Sequence, residues 1–204
     1  MKDKPMARRY IEATLALIDE SHGITGVDLR KVSRSLGCAH TNIYNYFDSY
    51  ADLLWHVLVE VMERLMDHTK KETAGIYDKR QAFRVFIGSQ IDFALSHPGW
   101  YRFLWMDPLK GKPSEDLIPK LAQPATEFAR YLAGFAPDSL PSPAIARAAD
   151  IVHGYVHGTL SRMVADRYIP GQVADPREKI ITDAELVFQL LCGTNTNSKK
   201  GVDL

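Results

Sequence analysis

Apolar residues recur at spacings of three and four along almost the whole chain, and no short run alternates apolar with polar residues between turn signals. A chain patterned this way buries its apolar surface by packing helices on helices, so the expected fold class is all-α. Breaks fall at Gly23, Gly37, Gly75, His97-Pro98-Gly99, Asp107-Pro108, the stretch Ala136 to Pro143 and Pro170-Gly171. They divide the chain into about nine helices. With 204 residues, 46% of them hydrophobic, there is enough length for a sizeable core and too little for more than two small domains.

The first helix, about Ala7 to Ser21, places Ile11, Leu15 and Ile18 on one stripe and ends at Gly23, a candidate left-handed cap. The second has Asp28 as its N-cap, turns Leu29, Val32 and Leu36 inward and stops at Gly37. His40 to Phe47 then forms another two-turn segment with Ile43 and Phe47 inward. Helices this short are unstable alone, so residues 1–47 are expected to fold as one three-helix domain. Ser49, followed by Asp52 in a capping-box position, starts a long fourth helix. Its apolar rows are Leu53, Val57, Val61, Leu65 and Leu54, Leu58, Met62, Met66. Residues 48–192 are expected to form a second, larger helical domain, and the polar tail 193–204 to be disordered.

Two short helices joined through a glycine turn form the pattern of a helix-turn-helix, whose second helix enters the DNA major groove. Ile43 and Phe47 hold that helix on its support, which leaves His40, Thr41, Asn42, Asn45 and Tyr46 to meet base edges and phosphates. The segment GITGVDLRKVSRSLGCAHTNIYNYFDSYADLL, Gly23 to Leu54, closely resembles the DNA-binding domain of the tetracycline-repressor (TetR) family. Its Ile-Tyr-Asn-Tyr-Phe run, followed by a polar turn and Leu-Leu, carries the most specific part of the likeness. The resemblance implies a base or phosphate contact for Arg30, early recognition contacts for His40, Thr41 and Asn42, and phosphate contacts for Tyr44 and Tyr46. Leu29, Ala39 and Tyr50 depart from the family pattern, Tyr50 standing where a lysine commonly touches the DNA backbone. The whole chain is electrically balanced, 25 basic against 25 acidic residues, and residues 1–47 hold seven Lys/Arg against five Asp/Glu, a net of +2. DNA binding is therefore expected to be local, with a mild electrostatic footprint.

A second concentration lies at His97 to Met106, where four aromatics fall within six residues. Rings so crowded on a short helix cannot all point one way, so some are expected to line a ligand pocket. The expected wall comprises Met62, Leu65, Met66, Phe86, Trp100, Phe103, Trp105, Met106 and Phe128, with His153 and His157 as polar points. Core packing is the alternative for any single ring. The eighth helix, about Ala144 to Arg167, carries Val152, Val156, Leu160 and Val164 on one stripe, with Gly154 and Gly158 allowing close approach. The ninth, about Pro176 to Cys192, adds Leu186 and Leu190. These faces are expected to form a twofold four-helix interface in a homodimer.

The histidine pair at 153 and 157 has a spacing open to metal, though polar points in a pocket or interface suit it better, and no metal is expected. Cys38 and Cys192 stand too far apart in sequence to form a metal-ligand motif, and no glycine-rich phosphate loop or nucleophile elbow appears, so neither enzyme chemistry nor a cofactor is expected. No apolar run reaches the ~18 residues of a membrane span, and the charged N-terminus has no hydrophobic signal region, giving a cytoplasmic expectation. The function expected is a ligand-responsive DNA-binding regulator: a homodimeric repressor released from operator DNA by a small apolar or aromatic effector. The alternative is a helical small-molecule binding protein that no longer binds DNA.

Overall fold

A computed structural model describes residues 4–167 and 174–193, and all regular structure among them is helical. The order is α1 (Lys4–Glu20), α2 (Leu29–Ser35), a 3-10 helix (His40–Asn45), α3 (Tyr50–Thr73), α4 (Lys79–Ser96), α5 (Pro98–Trp105), α6 (Ile118–Phe135), α7 (Ser142–Val164) and α8 (Pro176–Leu191). The all-α expectation and its helix number hold. The break at Pro170-Gly171 and the tail 194–204 lie outside the described residues. No helix among the described residues is long and apolar enough to cross a membrane.

The helix ends follow local chemistry. Asp28 accepts the Lys31 backbone N–H at 2.9 Å, and Ser49 Oγ accepts that of Asp52 at 3.0 Å. The Asp52 carboxylate in turn accepts the Asp48 N–H at 3.1 Å, closing a capping box shifted by one residue. At the end of α1 the left-handed position is taken by His22 (φ 52), one residue before the expected Gly23.

Contacts divide the chain into two compact units. The first lies within residues 1–68 and 92–124. Tyr10, Leu15, Ile18, Val32, Ile43, Phe47, Leu53, Val57 and Phe103 form its core. The domain edge expected at residue 47 falls inside this unit, because α1 is held by α3 and α5 as well as by the two short helices after it. Trp100 donates its indole N–H to the Leu15 carbonyl at 2.9 Å, and Asp107 accepts the Ile24 N–H at 2.7 Å. Between α1 and α3, buried Glu60 takes Arg8 at 2.6 Å and Arg64 at 2.8 Å, and Arg64 also reaches Glu12 at 2.6 Å. Removing one partner of so buried a carboxylate strands charge, so these residues act as one clasp.

The second unit lies within residues 69–91 and 125–204. Here α7 packs on α8, and Phe83 stacks on Phe188 with ring centres 5.4 Å apart. Buried Glu185 is held by Arg80 and by Arg84, the latter at 2.9 Å. Val152, Val156 and Leu160 are 0%, 4% and 2% exposed within a single chain. They are thus already covered and cannot form the expected dimer surface, because the stripe that looked free in sequence is the one that meets this unit's own core. Val164 is half-buried, and Leu186 and Leu190 remain exposed on α8. On α7 the exposed line runs instead through Ile151, Gly154 and Gly158.

Candidate functional site

The segment after α2 begins with a helix start that lacks a side-chain cap. Ala39 offers none, and the following residues, Thr41, Asn42, Ile43 and Tyr44, are weak helix formers. Six residues with this composition settle into a tight 3-10 turn rather than the expected α-helix, with Asn42 N–H on the Ala39 carbonyl and Tyr46 N–H on that of Ile43. Ile43 and Phe47 are 0% and 2% exposed and fix the segment to the core. His40, Thr41, Tyr44 and Asn45 are exposed on it, and Asn42 is half-buried. Tyr46 differs from expectation: its ring lies 5.9 Å from that of Tyr10, so it is partly committed to packing.

Arg30 is exposed on α2, and so are Lys31 and Arg34. These last two extend the basic surface beyond the one arginine singled out from sequence. Their signal was present in the basic spacing of α2, where residues four apart share a face. Tyr50 is turned inward. Its hydroxyl donates to the Val27 carbonyl at 3.0 Å, and its pKa is pushed up to about 12 by burial and by Asp28. The residue that stands in place of a phosphate-touching lysine therefore ties the start of α3 to the loop before α2.

The residues expected to line a ligand pocket fall into both units. In the first, Trp100 and Phe103 are core, with Trp100 stacked on His97 at 3.9 Å and Arg64 over its ring at 5.2 Å. Trp105 and Met106 are exposed, because positions 100, 103 and 104 take the inward side of a helix only eight residues long. Met62, Leu65 and Met66 are half-buried on α3. Farther along this helix, His68 packs beside Phe93 at 5.9 Å and buries an Nε2 that has no hydrogen-bond partner. Sequence reasoning passed over His68, a polar point at the end of an apolar row.

In the second unit, Phe86, Phe128, His153 and His157 form one continuous aromatic cluster. Phe128 stands 5.1 Å from both Phe86 and His153, and the two imidazoles lie parallel at 6.1 Å. Tyr131 stacks on Phe86 at 4.8 Å and joins them. A cleft of about 530 Å³ opens elsewhere in this unit, lined by Arg80, Arg84, Arg177, Glu178 and Ile181. It contains none of the residues expected to form the wall. Among the described residues no group of three or more His, Cys, Asp or Glu could hold a metal ion.

Burial pushes the pKa of both histidines down; His157 lowers His153 further, while Asp150 opposes this. A folded-state pKa below the ordinary 6.5 means that the unfolded chain binds more protons as pH falls through that value. The stability from keeping these rings neutral is complete above 6.5 and is lost below it. Thermal melts are expected to show the chain weakening between about pH 7.5 and about pH 5.5, and His153→Phe to weaken less over the same interval. An identical pH dependence in the variant would show that His153 does not contribute.

Residues 83–184, half of the chain, match the family model described as tetracyclin repressor-like, C-terminal domain. No curated protein sequence matches significantly. Among solved structures, a protein of unknown function from Rhodococcus sp. RHA1 is similar at TM-score 0.72 and 16% identity, over 91% of this chain and 95% of that one. The fatty acid degradation regulator FadR from Bacillus halodurans is similar at TM-score 0.63 and 17% identity, over 96% and 99%. A transcriptional regulator FadR from Bacillus subtilis, solved in complex with stearoyl-CoA, is similar at TM-score 0.62 and 15% identity, over 92% and 98%. At such identities the structural likeness concerns the fold. The family model covers most of α4 through most of α8, and together with the helical architecture it establishes that the chain belongs to the tetracycline-repressor family of transcriptional regulators.

Proposed function

We propose that this chain is a homodimeric transcriptional repressor that leaves its operator DNA when a small, largely apolar effector binds. The observation that carries the DNA-binding reading is the His40–Asn45 segment. Its apolar residue is fully buried, while His40, Thr41, Tyr44 and Asn45 face outward with no packing role to explain them. Polar groups of this kind on a short helix after a tight turn suit the major groove, with Arg30 and Arg34 beside them for phosphate. The net +2 of residues 1–47 makes nonspecific attraction weak, so specificity rests on those contacts.

For the effector, the support is the aromatic cluster of Phe86, Phe128, Tyr131, His153 and His157 in the second unit. Because the Bacillus subtilis FadR was solved with stearoyl-CoA, ligands bearing acyl chains join aromatic ones as the first to try. Ligand and DNA are coupled through α3, which begins five residues after the last residue of the 3-10 helix and whose residues 69–73 belong to the second unit. Moving such a two-state equilibrium from 1:99 to 99:1 requires the effector to favour the released form by about 5.5 kcal/mol.

The test is selection of bound duplexes from a random pool, with and without cell extract. The expected result is an inverted repeat whose half-sites lie about one helical turn, ~34 Å, apart, with binding reduced by an extract that contains the effector. His40→Ala is expected to cost ~1–3 kcal/mol at the selected site and little on unrelated DNA. No enrichment, alongside saturable quenching of tryptophan fluorescence by a ligand, would favour the helical binding protein without DNA function.

A further inference from the structure

We infer that Asn42 reads an adenine in each half-site and that Asn45 is the positioning residue that sets the direction of its carboxamide. This rests on the DNA-binding reading and concerns which base is recognised. In a 3-10 helix residues three apart stand in one row, so Asn42 and Asn45 are neighbours on the exposed side of the segment. Asn45 Nδ2 donates to Asn42 Oδ1 at 3.0 Å. Turning the Asn42 amide over on its own would bring its own Nδ2 against that donor, so the bond lets the two carboxamides turn only together and ties the orientation of Asn42 to that of Asn45.

The remaining hydrogen-bonding capacity matches one base edge. A carboxamide has two N–H donors and two lone pairs on its oxygen. After accepting from Asn45, Asn42 keeps one lone pair and both donors. Adenine presents an acceptor at N7 beside a donor at its N6 amino group, the complement of that pair in a single plane. Guanine presents acceptors at both N7 and O6, which would set O6 against the Asn42 oxygen. Thr41 and Tyr44 each donate and accept only at a single oxygen, whereas the carboxamide presents its donor and its acceptor on two atoms in one plane. The backbone beneath Asn42 is anchored, since its N–H is held by the Ala39 carbonyl at 3.0 Å and the next residue, Ile43, is fully buried.

The experiment uses the full chain and the duplex it selects from a random pool. Each adenine of that duplex is replaced in turn by 7-deazaadenine, which preserves base pairing and removes N7. One adenine per half-site is expected to respond, with wild-type affinity falling about tenfold or more, and Asn42→Ala is expected to show no further loss at that position. Asn45→Ala is expected to reduce the preference for adenine over guanine there, and Asn45→Gln, which keeps a carboxamide donor, to restore part of it. A defined duplex in which no adenine responds, or in which the responsive adenine stays equally sensitive in Asn42→Ala, overturns the assignment. An unchanged base preference in Asn45→Ala overturns the positioning role. If wild type enriches no duplex, the DNA-binding reading itself fails, a result separate from a selected site lacking the responsive adenine.

Discussion

Gly99→Ala is expected to be among the most damaging single-methyl changes available to this protein, although alanine normally favours a helix over glycine. A Cβ at this position would lie 2.4 Å from the Ile18 carbonyl oxygen, 2.7 Å from Asp19 Cα and 3.0 Å from the Asp19 oxygen. All three are backbone atoms of α1, so no side chain can swing away, and α1 and α5 must separate. Separation stretches the bond from Trp100 to the Leu15 carbonyl and the 3.0 Å contact between His97 and Asp19. Overpacking of this kind costs about 3 kcal/mol or more. For a chain of this size that corresponds to a Tm lowered by about 6–12 °C. Gly88→Ala is the matched control: its Cβ would meet the Arg177 guanidinium at 2.7 Å, the far end of a flexible side chain, and the change should be small. Equal melting of Gly99→Ala and wild type would show that α1 and α5 are not held in this close approach.

Leu190→Glu, alone or with Leu186→Glu, is expected to produce a folded monomer that has lost operator affinity by at least about a hundredfold, since one recognition segment can occupy only one half-site. The two leucines are 53% and 48% exposed and lie one turn apart on α8, so a charge on either harms the single chain little. In a dimer it would bury that charge against an apolar partner face. The exposed Gly154 and Gly158 of α7, where an added Cβ would meet nothing within 4 Å, leave room for a second copy to approach. Val156→Glu should instead unfold the chain, because Val156 is 4% exposed. Light scattering, circular dichroism and duplex binding on the same samples separate these outcomes. A variant that stays dimeric, or a monomer that binds its operator with unchanged affinity, would rule out α8 as the assembly surface.

Local chemistry made a large part of the molecule legible in advance. Helices could be read from spacing because a three-to-four residue period can be satisfied by one helix without knowledge of its partners. The same holds for Asp28 and Ser49, whose oxygens cap backbone groups three residues away. The outward residues of the 3-10 helix were legible for a related reason. Ile43 and Phe47 declare its inner side, which leaves His40, Thr41, Tyr44 and Asn45 outside.

Other features depended on distances that sequence spacing does not contain. α7 carries two faces that packing could have covered, and the interior of its own unit took Val152, Val156 and Leu160, leaving Ile151, Gly154 and Gly158 outside. Trp100 and Trp105 look alike in the sequence, yet one is core and the other exposed, because the tilt of an eight-residue helix against α1 decides which side is inner. Tyr50 resembled a lost phosphate contact until its hydroxyl was found on a carbonyl 23 residues earlier. The all-helical fold, the helix starts and the polar, exposed side of the 3-10 helix were thus determined by sequence alone, since each follows from neighbours within a turn or two. The inner face of each helix, the bond between Asn42 and Asn45, and the close approach at Gly99 were decided by tertiary structure, where burial depends on which segments meet in space.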